Sequence, residues 1–219
     1  GVEISMFTPE ILAYPYSLTS SMEKERRETI EYLLKSVETA ARLGTDKMQI
    51  TAKHPGYGVK RETVWVYLEE GTSILCRRAG ELGVDIILES LSPSEGNTIT
   101  CVDDILELQE RVNSPALCAM IDMVPPFIAN EPYSDYLERL GTSMKYVHIC
   151  NGDGTTEFHM QLDDRNGVIP VADFFRILKR YGYDGWCSLE LLNPYFRDPE
   201  LYLSEAQRCI RRIRQELEL

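Results

Sequence analysis

The chain has 219 residues, 43% hydrophobic and 26% charged, a composition that excludes disordered and fibrous classes and is enough to bury one large core. Its 35 acidic and 23 basic residues leave a net charge of −12, which repels nucleic acid, and no apolar run reaches membrane-spanning length. A small neutral or cationic ligand fits that balance better. Six cysteines (Cys76, Cys101, Cys118, Cys150, Cys187, Cys209) lie far apart with no CxxC pair, so they read as reduced thiols of a cytoplasmic protein. The opening GVEISMFTP shows no basic region followed by an apolar stretch, so no secretory signal is visible in these residues, and the start without Met suggests that sequence upstream is absent.

In chain order, EISMF (residues 3–7) reads as a strand, and Ser20 with Glu23 forms a capping box before a helix whose face is Ile30, Leu33, Leu34, Val37 and Ala41. KMQIT (47–51), VDIILE (84–89), LCAMID (117–122), KYVHI (145–149) and WCSLE (186–190) are further strands, apolar nearly throughout, as parallel strands covered on both faces are. Helices are expected near 60–82, 101–112, 131–140, 170–181 and 199–217, the last with a stripe of Ala206, Ile210, Ile213 and Leu217. The segments ARLGTDKMQIT, GELGVDIILES, ERLGTSMKYVHI and KRYGYDGWCSLE repeat one pattern of helix, glycine cap and strand.

Six βα units follow, compatible with a doubly wound sheet or a (β/α)8 TIM barrel. Polar residues favour the barrel, because Glu89, Asp122, His148 and Glu190 each end a different apolar strand and a barrel gathers such ends into a ring. Six units are two short of closure, and 219 residues fall below the roughly 250 typical of the fold, so a single domain over 1–219 lacking its first two βα units is expected. Two Glu, one Asp and one His at a barrel mouth make a mixed oxygen and nitrogen site for one divalent cation: Mn²⁺, Mg²⁺, Co²⁺ or Zn²⁺.

The sequence resembles the xylose-isomerase-like sugar isomerases and epimerases, most closely their fructoselysine 3-epimerase branch, with the D-tagatose 3-epimerases more distant. The resemblance rests on MEKERRETIEYLLKSVETAARLG, AKHPGY, DIILESLSPSEGNTI, MIDMVPPFIANEPYSDYLERLG, YVHICNGDG and GYDGWCSLELLNPYFRDPELY. It implies that the metal ligands are Glu89, Asp122, His148 and Glu190, and that Glu89 and Glu190 are also the acid/base pair. It further implies a sugar or sugar-amine substrate and C3 epimerisation through an enediolate. Glu95, six residues after Glu89, matches a substrate-hydroxyl contact of the D-tagatose branch. Two features depart from that branch: Pro125 stands where it has a substrate-contacting His, and LDDRNGVIP replaces a Gly-x-Gly turn after His159.

His54 in KHPGY and His159 are further candidates for the substrate pocket, with Asp153 weaker. Trp65 and Tyr67 read as core, and Arg208, Arg211, Arg212 and Arg214 as a solvated helix face. Alternatives of the same fold are an aldose–ketose isomerase or an inosose dehydratase, and from another class a non-catalytic sugar-binding barrel. A multi-zinc endonuclease is disfavoured by three histidines and the acidic charge. No nucleic-acid or membrane partner is expected, and a homo-oligomer is left open.

Overall fold

The structure, a computed structural model, describes residues 1–12, 15–191 and 198–218, which cluster into two compact units. The first comprises 1–120 and 142–145, the second 121–141 and 146–219. Residues 192–197, part of one stretch quoted for the resemblance, lie outside the described residues.

The first unit is built from α1 (Glu23–Leu43), β1 (Lys47–Ile50), α2 (Arg61–Leu82), β2 (Asp85–Leu88), α3 (Val102–Val112) and the start of β3 (Leu117–Asp122). β1 pairs in parallel with β2, Ile50 opposite Leu88, and β2 with β3, Leu88 opposite Ala119. β1 is buried along its whole length, and so is β3, which accounts for their unbroken apolar character. Against this layer α1 buries Leu33, Val37 and Ala40, and α2 buries Trp65, Leu68, Leu75 and Ala79. The α1 stripe thus runs one position off the expected one, with Ile30, Leu34 and Ala41 only half-buried.

The second unit holds α4 (Val124–Ile128), α5 (Tyr133–Leu140), most of β4 (Met144–Ile149), α6 (Val171–Arg180), β5 (Trp186–Leu189) and α7 (Pro199–Leu217). β4 and β5 run parallel, His148 opposite Ser188 and Ile149 opposite Leu189. Phe174, Phe175 and Leu178 of α6 and Ala206, Cys209 and Ile213 of α7 supply buried apolar faces.

The repeated glycine pattern is borne out by backbone conformation. Gly44 and Gly83 end α1 and α2 at φ 80° and 69°, where a Cβ would be strained, and their N–H groups return to carbonyls of the last turn.

Three expectations need correction. EISMF forms no strand among the described residues: only Phe7 makes an isolated parallel bridge to Met48, and Pro9, two residues on, has no N–H with which to extend a ladder. Five strands are therefore described where six were expected. Ser20 is not an N-cap, since Met22 holds that place; its hydroxyl donates to Glu25 Oε2 at 2.6 Å and accepts the Met22 N–H.

Candidate metal centre

Three of the four strand-end residues belong to the second unit. The pleat brings His148 and Glu190 to one face, because His148 pairs with Ser188 and Glu190 follows two residues later. His148 Nδ1 stands 2.7 Å from Glu190 Oε2 and 3.6 Å from Asp122 Oδ2. Asp122 ends β3 and is 2% exposed. Its Oδ1 accepts the Val124 N–H at 2.7 Å, which starts α4 and locks the carboxylate.

The other oxygen, Oδ2, also meets His159. Nε2 of this imidazole is 2.9 Å from Asp122 Oδ2 and 3.6 Å from Glu190 Oε2, while Nδ1 faces the Glu157 carbonyl at 3.2 Å. His159 arrives on a loop folded around Asn151, whose backbone pairs with Met160 in both directions. Asn151 Oδ1 accepts the N–H of Gly152 and of Ile169, each at 2.9 Å, and Nδ2 donates to the Leu162 carbonyl at 3.1 Å. One buried amide thereby closes both ends of the loop and its middle.

The electrostatics follow from this packing. Burial by itself would raise the Asp122 carboxyl, but the His159 charge and hydrogen bonds within the cluster outweigh it and hold Asp122 well below the usual carboxylate range. Burial would likewise lower His159, yet the neighbouring Asp122 carboxylate raises it to about 10.

Asp122 Oδ2, Glu190 Oε2 and His148 Nδ1 thus converge, the imidazole nitrogen 3.6 and 2.7 Å from the two carboxylates, while His159 pairs with Asp122 as a charged partner. Donors about 2.0–2.2 Å from one cation are separated by edges of this length. Two carboxylates with imidazole nitrogen suit Mn²⁺, Co²⁺ or Zn²⁺, so the residues present fit a divalent metal. Cys150 lies beside them, its Sγ 3.9 Å from Asp122 Oδ1, and Asp122, Cys150 and His159 form a further cluster of potential donors within 4.8 Å. Burial, then the charges of Asp122 and Glu190, push this thiol well up, so it stays protonated and is the poorest ligand of the set.

In the first unit Glu89 directly follows β2 and is buried, and its Oε2 accepts a 2.5 Å hydrogen bond from Gln49 Nε2. Glu95 is half-buried in the loop beyond, its N–H on the Ser92 carbonyl, and His54 is exposed on the loop after β1. Asp153 accepts the N–H groups of Thr155 and Thr156 in a turn, a local structural role. Gln49 and Cys150 were not singled out from sequence.

Comparison with known proteins gives a consistent picture. A family model described as the xylose isomerase-like TIM barrel matches residues 1–213. Fructoselysine 3-epimerase of Escherichia coli is 32% identical over 200 residues, covering 91% of this chain and 72% of the relative. A probable ketose 3-epimerase of Synechocystis sp. is 25% identical over 207 residues, covering 92% and 68%. Among solved structures, a D-tagatose 3-epimerase-like protein superposes with a TM-score of 0.86 at 19% identity, over 99% of this chain and 79% of the other. The expected TIM-barrel fold class and the resemblance to the xylose-isomerase-like proteins are borne out, and the two sequence relatives carry the names of isomerase-class enzymes.

Proposed function

The chain belongs to the xylose isomerase-like TIM barrel family, and we propose that it is a metal-dependent sugar epimerase inverting C3 of a ketose or of a fructoselysine-like ketoseamine. The observation that carries this reading is the meeting of Asp122 Oδ2, Glu190 Oε2 and His148 Nδ1 at strand ends, with His148 Nδ1 2.7 and 3.6 Å from the two carboxylates. Glu89 is the fourth ligand in this reading. Its support is its place in the first unit, a buried carboxylate that directly follows the apolar strand β2.

The C3 proton of a 2-ketose is only weakly acidic. Glu89, Asp122, His148 and Glu190 would hold a divalent cation, which would supply the positive charge that an enediolate requires. Glu89 and Glu190 act on opposite faces of C3, one removing the proton and the other delivering a proton from the far side. Asp122 is held ionised by the histidines that contact it, and its Val124 hydrogen bond keeps it from turning away. Glu95, His159 and His54 are assigned to the sugar hydroxyls.

Three observations favour the ketoseamine. The relative at 32% identity is a fructoselysine 3-epimerase. Pro125, three residues beyond Asp122, is buried in α4 and offers no side-chain hydrogen bond to a sugar. The net charge of −12 suits a cationic amine. Six free cysteines fit a reducing, cytoplasmic setting. No helix among the described residues is long and apolar enough to cross a membrane.

The assignment is tested by incubating the protein with Mn²⁺ and a panel of fructose, tagatose and fructoselysine. The C3 epimer is expected from at least one, and from neither Glu89→Gln nor Glu190→Gln. An aldose product would instead mark an isomerase, and loss of water a dehydratase.

A further inference from the structure

We propose that Gln49, oriented by Thr8, is the positioning residue for the Glu89 carboxylate. The inference rests on the assignment of Glu89 to the metal and to proton transfer.

Gln49 is 6% exposed in a strand whose other three residues, Lys47, Met48 and Ile50, are also buried. A buried amide is costly unless both ends are bonded. Both are. Nε2 donates to Glu89 Oε2 at 2.5 Å, and Oε1 accepts the Thr8 hydroxyl at 2.8 Å. The orientation of the amide is forced, because an ionised carboxylate only accepts hydrogen bonds and only the NH₂ end can serve it. Thr8 is in turn fixed beside β1 by its neighbour Phe7, whose N–H donates to the Lys47 carbonyl at 2.9 Å and whose carbonyl accepts the Gln49 N–H at 3.0 Å.

The same relationship occurs in the second unit. Gln49 pairs with Ile87 and Glu89 follows two residues later; His148 pairs with Ser188 and Glu190 follows two residues later. Each glutamate therefore meets a side-chain nitrogen of the preceding parallel strand, Gln49 Nε2 in a 2.5 Å hydrogen bond and His148 Nδ1 at 2.7 Å. The residue types differ in a way chemistry can use. An imidazole can ligate a metal, whereas a carboxamide nitrogen carries no available lone pair and serves only as a donor. Gln49 thus holds one oxygen of Glu89, sets the plane of its carboxylate, and does not compete for the cation.

The test compares Gln49→Met, Thr8→Val and Thr8→Ser in the full chain. Gln49→Met keeps the volume and removes the donor. It is expected to weaken Mn²⁺ binding, measured by calorimetry, about 10- to 100-fold, and to lower kcat by a similar factor with KM within about twofold. Thr8→Val, at an exposed residue, is expected to fall between Gln49→Met and wild type, and Thr8→Ser to restore wild-type values. Mn²⁺ affinity and kcat of Gln49→Met within about twofold of wild type would overturn the proposal, as would Thr8→Val indistinguishable from Thr8→Ser. A double-mutant cycle of Gln49→Met and Glu89→Gln, read by urea unfolding without metal, separates this from the proposed function. Coupling of at least about fivefold in the unfolding equilibrium supports the contact even if no ketose is turned over, and strict additivity removes it.

Discussion

Gly167 lies against Asn151 so closely that a Cβ on it would come within 2.3 Å of the Asn151 Cγ. Asn151 cannot swing aside, because its Oδ1 holds Gly152 and Ile169 and its Nδ2 holds Leu162. The loop after His159, unlike the Gly-x-Gly turn of the D-tagatose branch, thus needs glycine for closeness of approach at Asn151. Gly167→Ala is expected to cost about 1–3 kcal/mol of stability. It should also loosen His159 from Asp122. Urea unfolding and the Mn²⁺ affinity of the same variant check both effects, and an unchanged pair of values would show that the clamp yields without cost.

Asp122→Asn retains the shape of the side chain and removes its charge. The amide can still accept the Val124 N–H, so folding survives, but two imidazoles lose their anionic partner. Metal affinity should fall by more than about 100-fold, beyond the range typical of residues that only support ligands. Calorimetric titration with Mn²⁺ and Zn²⁺ reads this directly.

Removal of the metal should lower stability by mass action. At a free metal concentration of about 100 times Kd the bound ion contributes about 2.7 kcal/mol. For a chain of this size that corresponds to a fall in Tm of about 5–10 °C on chelation, recovered on adding Mn²⁺. Differential scanning calorimetry before and after chelation measures it.

The buried thiols should be inert in the native state. Burial pushes Cys76 and Cys118 up to about 12, and Cys150 well above its ordinary value. Iodoacetamide at pH 8 is expected to leave these three unmodified in native protein and to label them in urea, as peptide mass spectrometry would reveal.

Much of this architecture was legible in the sequence, for identifiable reasons. The helices 60–82, 101–112, 131–140, 170–181 and 199–217 agree with α2, α3, α5, α6 and α7 to within two residues, because each has an apolar stripe and a punctuating glycine, asparagine or proline. α4 was invisible, since VPPFI has too few residues for periodicity and reads as a loop; its start is dictated by the Asp122 hydrogen bond to Val124, a tertiary event. Asp122, His148 and Glu190 stood out as polar ends of apolar strands. His159 was named only as a substrate-pocket candidate and its pairing with Asp122 was not foreseen, because it lies 37 positions away on an aperiodic loop placed by Asn151. Gln49 was hidden by the opposite circumstance, sitting inside a strand where its partners Thr8 and Glu89 are 41 and 40 residues away.

The central claim is proton transfer at C3, and solvent-deuterium exchange tests it most directly. The protein, Mn²⁺ and each ketose are incubated in deuterated water, and C1 and C3 are followed by NMR. The account predicts deuterium at C3 together with the C3 epimer, lost on chelation and in either glutamate variant as net epimerisation. Deuterium at C1 with formation of an aldose, and none at C3, would contradict it.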